Sequence, residues 1–234
     1  MLIGRRRSNV ALLRRVVLGV VLMTIGAVLY LRWFPPPTTT FMLRSTLLAA
    51  LEDRTDYRLH YRWLEWERIS PHAGLAIIAA EDQRFLEHFG FDFNAISQAL
   101  KQNKNAGPRR GGSTISQQVA KNLFLWPGKS YLRKGLEAYF TLLIEILWPK
   151  RRVLEIYLNI AEFGEGIFGI AAASQSFFGK PPLALTRAEA ALLAAVLPNP
   201  RQLRVDQPSR YLKARRQWIL KQMRQLGGTL AKLR

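Results

Sequence analysis

The run VVLGVVLMTIGAVLYL, from Val16 to Leu31, carries no charge and constrains this chain more than any other stretch. Arg14 and Arg15 precede it, and Arg32, Trp33 and Phe34 follow. A helix crossing a bilayer wants about 20 apolar residues, so the run is short and relies on Arg14, Arg15 and Arg32 snorkelling to the interfaces. No small-x-small cleavage pattern follows it. The expectation is therefore a retained signal anchor rather than a cleaved signal peptide. Arg5, Arg6, Arg7, Arg14 and Arg15 lie ahead of the run, and the positive-inside rule keeps that end in the cytoplasm. The organisation read from this is a cytoplasmic basic tail (1–15), a transmembrane anchor (16–34), a stiff Pro/Thr linker (35–40) and one domain (41–234) long enough for a sizeable core.

Beyond the linker, MLRSTLLAALE reads as a helix and YRLHYRWLEWERIS as an extended, aromatic segment able to hold a short hairpin. Pro71 opens a helix on which Glu81, Phe85 and His88, at offsets of four and seven, share one face. KQNKNAGPRR (101–110) has no hydrophobic pattern and reads as a mobile loop. GGSTISQQVAKNLF then gives a helix polar nearly all round, which asks for a polar partner such as a substrate. Helical text runs from Tyr131 to about Leu147, breaks at Pro149 and resumes with Val153, Ile156, Tyr157 and Ile160 on one face. Gly164, Gly166 and Gly169 mark a turn before the small-residue segment IAAASQSFFG. Thr186 and Glu189 form a capping box for an Ala/Leu core helix that Pro198 ends, and a basic helix from Ser209 stops at Gly227 and Gly228. Strand patterns are nearly absent, so the fold class is mostly α.

Net charge is +19, and once the six arginines of the first 34 residues are set aside, 29 bases still face 16 acids. The body is basic in its own right, which suits nucleic acid, phospholipid headgroups or a pyrophosphate substrate, or is a solvated surface. Cysteine is absent, which excludes a disulfide framework and thiolate metal sites. His60, His72 and His88 lack HExxH spacing, and neither a nucleotide-binding glycine loop nor GxSxG occurs.

With acids scarce, carboxylates in apolar text stand out: Glu81 and Asp82, Glu137, Glu145 and Glu155. Burial raises a carboxyl's pKa and suits it to general acid or base work, while a neighbouring cation lowers it. Structural pairing is the plainer account of Glu137, four residues after Arg133, and of Glu155, four after Arg151. His88 reads more readily as a structural hydrogen-bonding residue than as a base. Lys101, Lys104, Arg109, Arg110, Lys121, Lys129, Arg133 and Lys134 bracket the polar helix, and Gly111 and Gly112 allow close backbone approach, so an anion could dock there.

EDQRFLEHFGFD, GGSTISQQVAKNLFL, RKGLE and VLEIYLNIAEFGEGIFGIAAASQSFFGK together resemble, in order and spacing over roughly Pro71 to Pro200, the signatures of peptidoglycan glycosyltransferases that polymerise lipid II. No penicillin-binding transpeptidase text follows, so the resemblance is to the monofunctional form. It implies a lysozyme-like helical glycosyltransferase domain behind a single transmembrane helix. It implies Glu81 as the base that deprotonates the acceptor's 4-hydroxyl and Glu137 as a second catalytic glutamate assisting the donor. Asp82, Phe85, His88, Gly112, Ser113, Thr114, Gln117, Gln118, Lys121, Asn122, Lys129, Arg133 and Lys134 then contact substrate, with Lys121 offsetting charge on the leaving pyrophosphate. Lys129 stands where relatives often carry Arg, trading a bidentate fork for a point charge. No organic cofactor and no protein metal site are implied, only a divalent cation, Mg or Mn, travelling with the pyrophosphate. The implied partners are lipid II, the growing glycan strand, the bilayer and other cell-wall synthesis or division proteins, not nucleic acid. The implied location is the bacterial inner membrane with the domain in the periplasm. The apolar, basic stretch from Ile144 to Arg152 fits a membrane-facing jaw or ordinary core packing. The rival readings are a lytic transglycosylase or lysozyme-type glycosidase, a membrane-anchored nucleic-acid binder, and a non-catalytic scaffold that kept the fold.

Overall fold

The computed structural model describes residues 2–104, 112–128 and 130–233. It is mostly helical, as the pattern implies. The first helix, α1, runs Leu2–Leu31 and holds a stretch, Leu12–Leu31, long and apolar enough to cross a membrane, with mean hydropathy 2.1. Among the described residues, it is the C-terminal end that the fold holds. Val28 is buried and its carbonyl accepts from Trp148 Nε1 at 2.8 Å, Thr24 Oγ1 and Tyr139 OH share a 2.8 Å hydrogen bond, and Arg32 donates to Leu147 O. Arg32 thus ties the end of α1 to the domain.

The Pro/Thr segment is docked rather than a bare spacer. Pro36 is buried and its carbonyl accepts from Tyr61 OH, Thr39 caps α2 (Thr40–Leu51), and Thr40 Oγ1 donates to the carbonyls of Asn122 and Leu125. The expected hairpin after α2 is absent among the described residues. β1 (His60–Tyr61) instead pairs in parallel with β3 (Ile167–Phe168), which pairs antiparallel with β2 (Glu162–Gly164), giving the order β1-β3-β2. A long-range partner was needed to complete that strand, and no local turn residue announces one.

The core is built on α3 (Pro71–Glu81), whose residues Ala73 to Ala79 are all buried. Pro71 occupies the first turn, where its missing N–H costs nothing, and Ser70 Oγ accepts from His72 N. Around α3 pack α7 (Lys150–Ile160), α9 (Arg187–Val196) and α10 (Arg210–Gln225). α7 is buried from Arg152 to Ile160 on every face, not along a single stripe. α5 (Ile115–Phe124) lies between α7 and α6 (Tyr131–Leu147), and α4 (Phe93–Lys104) takes in residues 101–104 of the segment read as a loop; 105–110 lie outside the described residues. α8 (Gly169–Phe178) starts at a glycine with φ +82°, where a Cβ would sit 2.4 Å from Asn159 O, so only glycine fits. The capping box Thr186/Glu189 forms as read, and Ser209 caps α10.

Candidate active site

α3 stops at Glu81, so Phe85 and His88 do not share a helical face with it as the spacing predicts. The cause is Asp82. Its backbone leaves the helix at φ −159°, and its buried carboxylate accepts from His88 Nε2 at 2.9 Å and from Ile115 N at 3.1 Å. The first N–H of α5 is thereby satisfied by a carboxylate, which also suits the positive end of the helix. The tie brings α5 against the end of α3 and places Gln118 opposite Glu81.

Glu81 lies at the wall of a cleft of about 980 Å³, with Asp92, Gln98 and Ser113 on one side and Tyr211, Arg215 and Trp218 of α10 on the other. Its Oε2 accepts from Gln118 Nε2 at 2.9 Å, and its Oε1 faces Arg215 Nη2 at 3.4 Å. Gln118 Oε1 accepts in turn from the hydroxyl of Tyr157 at 3.0 Å. That hydroxyl is fully buried, and burial together with the facing carboxylate holds the phenol well above its usual pKa, so it stays a donor. Burial raises the pKa of Glu81, while the Gln118 hydrogen bond and the charges of Arg215 and Lys121 lower it and Asp82 raises it. A carboxyl raised in this way is a stronger base than a free one, which suits it to taking a proton.

Beyond Glu81 on α5 stands Lys121, its pKa lowered by burial and by Arg133 and Lys134 but supported by Glu137 and Glu81. Glu137 is buried on α6 and its two oxygens accept from Arg133 Nη1 at 2.7 Å and from Lys134. Arg133 also donates to Gly128 O at 2.8 Å. Lys134 is half exposed, so a frame of cations around one carboxylate opens to solvent. Both oxygens of Glu137 are occupied by cations, and among the described residues no cluster of three metal-ligating side chains occurs. This donor set does not fit a divalent ion held by the protein.

The remaining expected contacts separate into cleft and frame. Ser113 is exposed in the cleft and Asn122 is half-buried on α5. Phe85 is a correction: it is fully buried with Lys150 Nζ 4.7 Å over its ring, so it packs the core and does not face a ligand. Gln117 is buried and closes a capping box with Thr114, whose hydroxyl donates to Gly90 O at 2.6 Å; both serve the start of α5, and Thr114 also lines the cleft. Gly112 lines the cleft and makes room for α4, since a Cβ there would lie 3.3 Å from Ile96 Cα. His88 is almost buried on Asp82, the structural role its isolation in the sequence favours. Glu155 pairs with Arg152, not Arg151, which reaches Glu67. Ile144, Trp148 and Arg152 pack inward against the end of α1, and Ile146 projects outward. Lys129 lies outside the described residues. Sequence reasoning missed Arg215 and Tyr157 as neighbours of Glu81. The one local trace of Arg215 is its place between Tyr211 and Trp218 on a single helical face.

A family model described as Transglycosylase matches residues 46–224. The chain belongs to the transglycosylase family. The biosynthetic peptidoglycan transglycosylase of Klebsiella oxytoca is 55% identical over 217 residues, covering 92% of this chain and 90% of the relative. That of Pectobacterium carotovorum is 50% identical over 228 residues, covering 95% and 93%. One from Escherichia coli is 56% identical over 195 residues, covering 83% and 81%. This transglycosylase therefore carries Glu81, the cleft and the cation frame within the region its family shares, and its helical fold is the lysozyme-like one of that family.

Proposed function

We propose that this membrane-anchored transglycosylase polymerises lipid II into β-1,4-linked glycan strands of peptidoglycan. The observation that carries the reading is Glu81, a largely buried carboxylate whose neighbours are donors, set between an open cleft and a cluster of cations. The acceptor's 4-hydroxyl enters the cleft and gives its proton to Glu81. Its oxygen attacks the anomeric carbon of the donor's N-acetylmuramic acid from the face opposite the pyrophosphate. The bond from that carbon to the phosphate oxygen breaks, its electron pair leaves with undecaprenyl pyrophosphate, and the α link becomes a β link. Lys121, backed by Arg133 and Lys134, stands where the leaving group gains charge, and fixed charges in a partly dry site need no reorganisation at that moment. Glu137 holds those cations in place, and Gln118 and Asn122 border the same helix face. The pyrophosphate itself would carry a Mg or Mn ion, whose charge would offset that of the leaving group.

Arg5, Arg6, Arg7, Arg14 and Arg15 in the N-terminal half of α1, with no acid among them, set its orientation, with the N-terminus in the cytoplasm and the domain on the periplasmic side of the inner membrane. Recruitment by other cell-wall synthesis or division proteins fits an enzyme tethered there. The test is to incubate the full chain with purified lipid II and, separately, with finished glycan. Polymer from lipid II is expected. Fragments from glycan with no polymer from lipid II make it a lytic enzyme instead.

A further inference from the structure

The cleft has two unlike walls. One carries Gln98, Ser113 and Asp92, polar and able to hydrogen-bond. The other is the face of α10 that presents Tyr211, Ala214, Arg215 and Trp218, at positions i, i+3, i+4 and i+7. Tyr211 and Trp218 remain 57% and 39% exposed there, although nothing in the packing of α10 requires large aromatic groups on that side: its core contacts come from Leu212, Ile219 and Met223. Arg215 stands between them. Its guanidinium has five N–H donors, yet among the described residues it makes a single long contact, 3.4 Å to Glu81, and its Nε is buried without a partner.

A pyranose ring has the complementary chemistry, with a face of C–H bonds flat enough to lie on an aromatic ring and an edge of hydroxyl and acetamido groups. Tyr211 and Trp218 are seven residues apart, about 10 Å along the helix axis, a span that matches one two-sugar repeat of a β-1,4 chain, from one ring to the next but one. We propose that the Tyr211, Arg215 and Trp218 face of α10 is a sugar-binding wall, with the two aromatic side chains seating pyranose rings separated by one sugar and Arg215 donating to an oxygen of the ring held against Glu81. This rests on the proposed polymerase reading, since it names how that cleft grips its glycan. The wall supplies binding remote from the bond that forms, the kind of energy that aligns a hydroxyl with its base.

The test uses the full chain in detergent micelles. Trp218→Ala and Tyr211→Ala are expected each to lower kcat/KM for lipid II about tenfold and to shorten the strands, with Trp218→Phe close to wild type. Melting temperatures should not move, because both side chains are exposed. Chitotetraose, a soluble β-1,4 oligomer with neither lipid nor pyrophosphate, is expected to quench the wild-type tryptophan fluorescence and to bind Trp218→Ala more weakly. Alanine variants that match wild type in kcat/KM and strand length overturn the wall. If wild type itself makes no polymer, the polymerase reading fails, and chitotetraose then decides separately: binding lost in Trp218→Ala sustains the wall, and equal binding removes it.

Discussion

Glu81 shows how one residue is tuned from several directions. α5 contributes Gln118 and Lys121, α10 contributes Arg215, α7 faces it with the neutral Tyr157, and Asp82 lies next in the chain. Burial dominates and raises the pKa, so the native state keeps its proton to higher pH than the unfolded chain does. Stability is therefore lost as pH rises from the ordinary carboxylate range through that raised value, and the loss is complete above it. Glu81→Gln removes both the base and this cost. Lipid II turnover is expected to fall roughly 10²- to 10⁴-fold, while the variant melts no lower than wild type at neutral pH; a clear drop in melting temperature would contradict burial as the dominant influence on Glu81. Activity needs the ionised form, so turnover should decline with acidification through the raised pKa. Gln118→Leu removes a hydrogen bond that lowers it, and the acid limb of the pH–rate profile should move to higher pH. A limb that stays in place or moves down would detach Gln118 from the base. The acid itself was legible because AAEDQRF sets a carboxylate after apolar residues. Arg215 and Tyr157 were not, because no sequence spacing links them to position 81; only the packing of α10 and α7 on α3 does.

At the scale of elements, legibility followed locality. Thr186/Glu189 and the ends of α6 and α9 are written within a few residues of where they act. The stop of α3 is not, since Glu81 and Asp82 precede no glycine before Gly90, and Asp82 is drawn out of the helix by Ile115, 33 residues on. The polar text of α5 misled for a related reason. Thr114 and Gln117 have T-x-x-Q capping-box spacing, and these two polar residues are that helix satisfying its own first turn, Gln117 away from the cleft. The junction of α1 with α7 was equally invisible. Arg152 is buried, donates to Leu31 O and Phe34 O at 3.0 and 2.8 Å, pairs with Glu155 at 2.7 Å, and lies 4.9 Å over the ring of Trp63. Glu155 continues the link by accepting from Trp66 N at 2.8 Å. Arg152→Met leaves Glu155 buried without its cation, a change that costs about 3–5 kcal/mol. Denaturant unfolding in micelles should show that loss, and Arg152→Met/Glu155→Gln should recover part of it. Equal stability in wild type and Arg152→Met would mean that the anchor is not clamped in this way.

The whole molecule reads as a domain held at a fixed pose beneath its own anchor. α1 is tied to α6 and α7, and α2 begins nine residues after α1 ends, a tether of about 30 Å even if fully extended. Leu43, Leu47 and Leu51 are 58–71% exposed at intervals of four along α2, a stripe that neither the core nor a neighbouring helix covers among the described residues. A lipid-linked substrate has to be lifted from the bilayer to Glu81, and an apolar stripe this near the anchor suits contact with the membrane interface, where each leucine removed from water contributes about 1.5–3 kcal/mol. The basic body acts in the same direction on anionic headgroups. Leu43→Glu/Leu47→Glu leaves the core untouched, so folding should be unchanged by thermal melt. Turnover of lipid II in anionic vesicles should drop about tenfold, and turnover in detergent micelles, where the substrate no longer lies in a bilayer, should drop far less. Equal losses in both media would place the stripe's role in the fold or the cleft, and no loss in vesicles would leave α1 as the sole membrane contact that matters for catalysis.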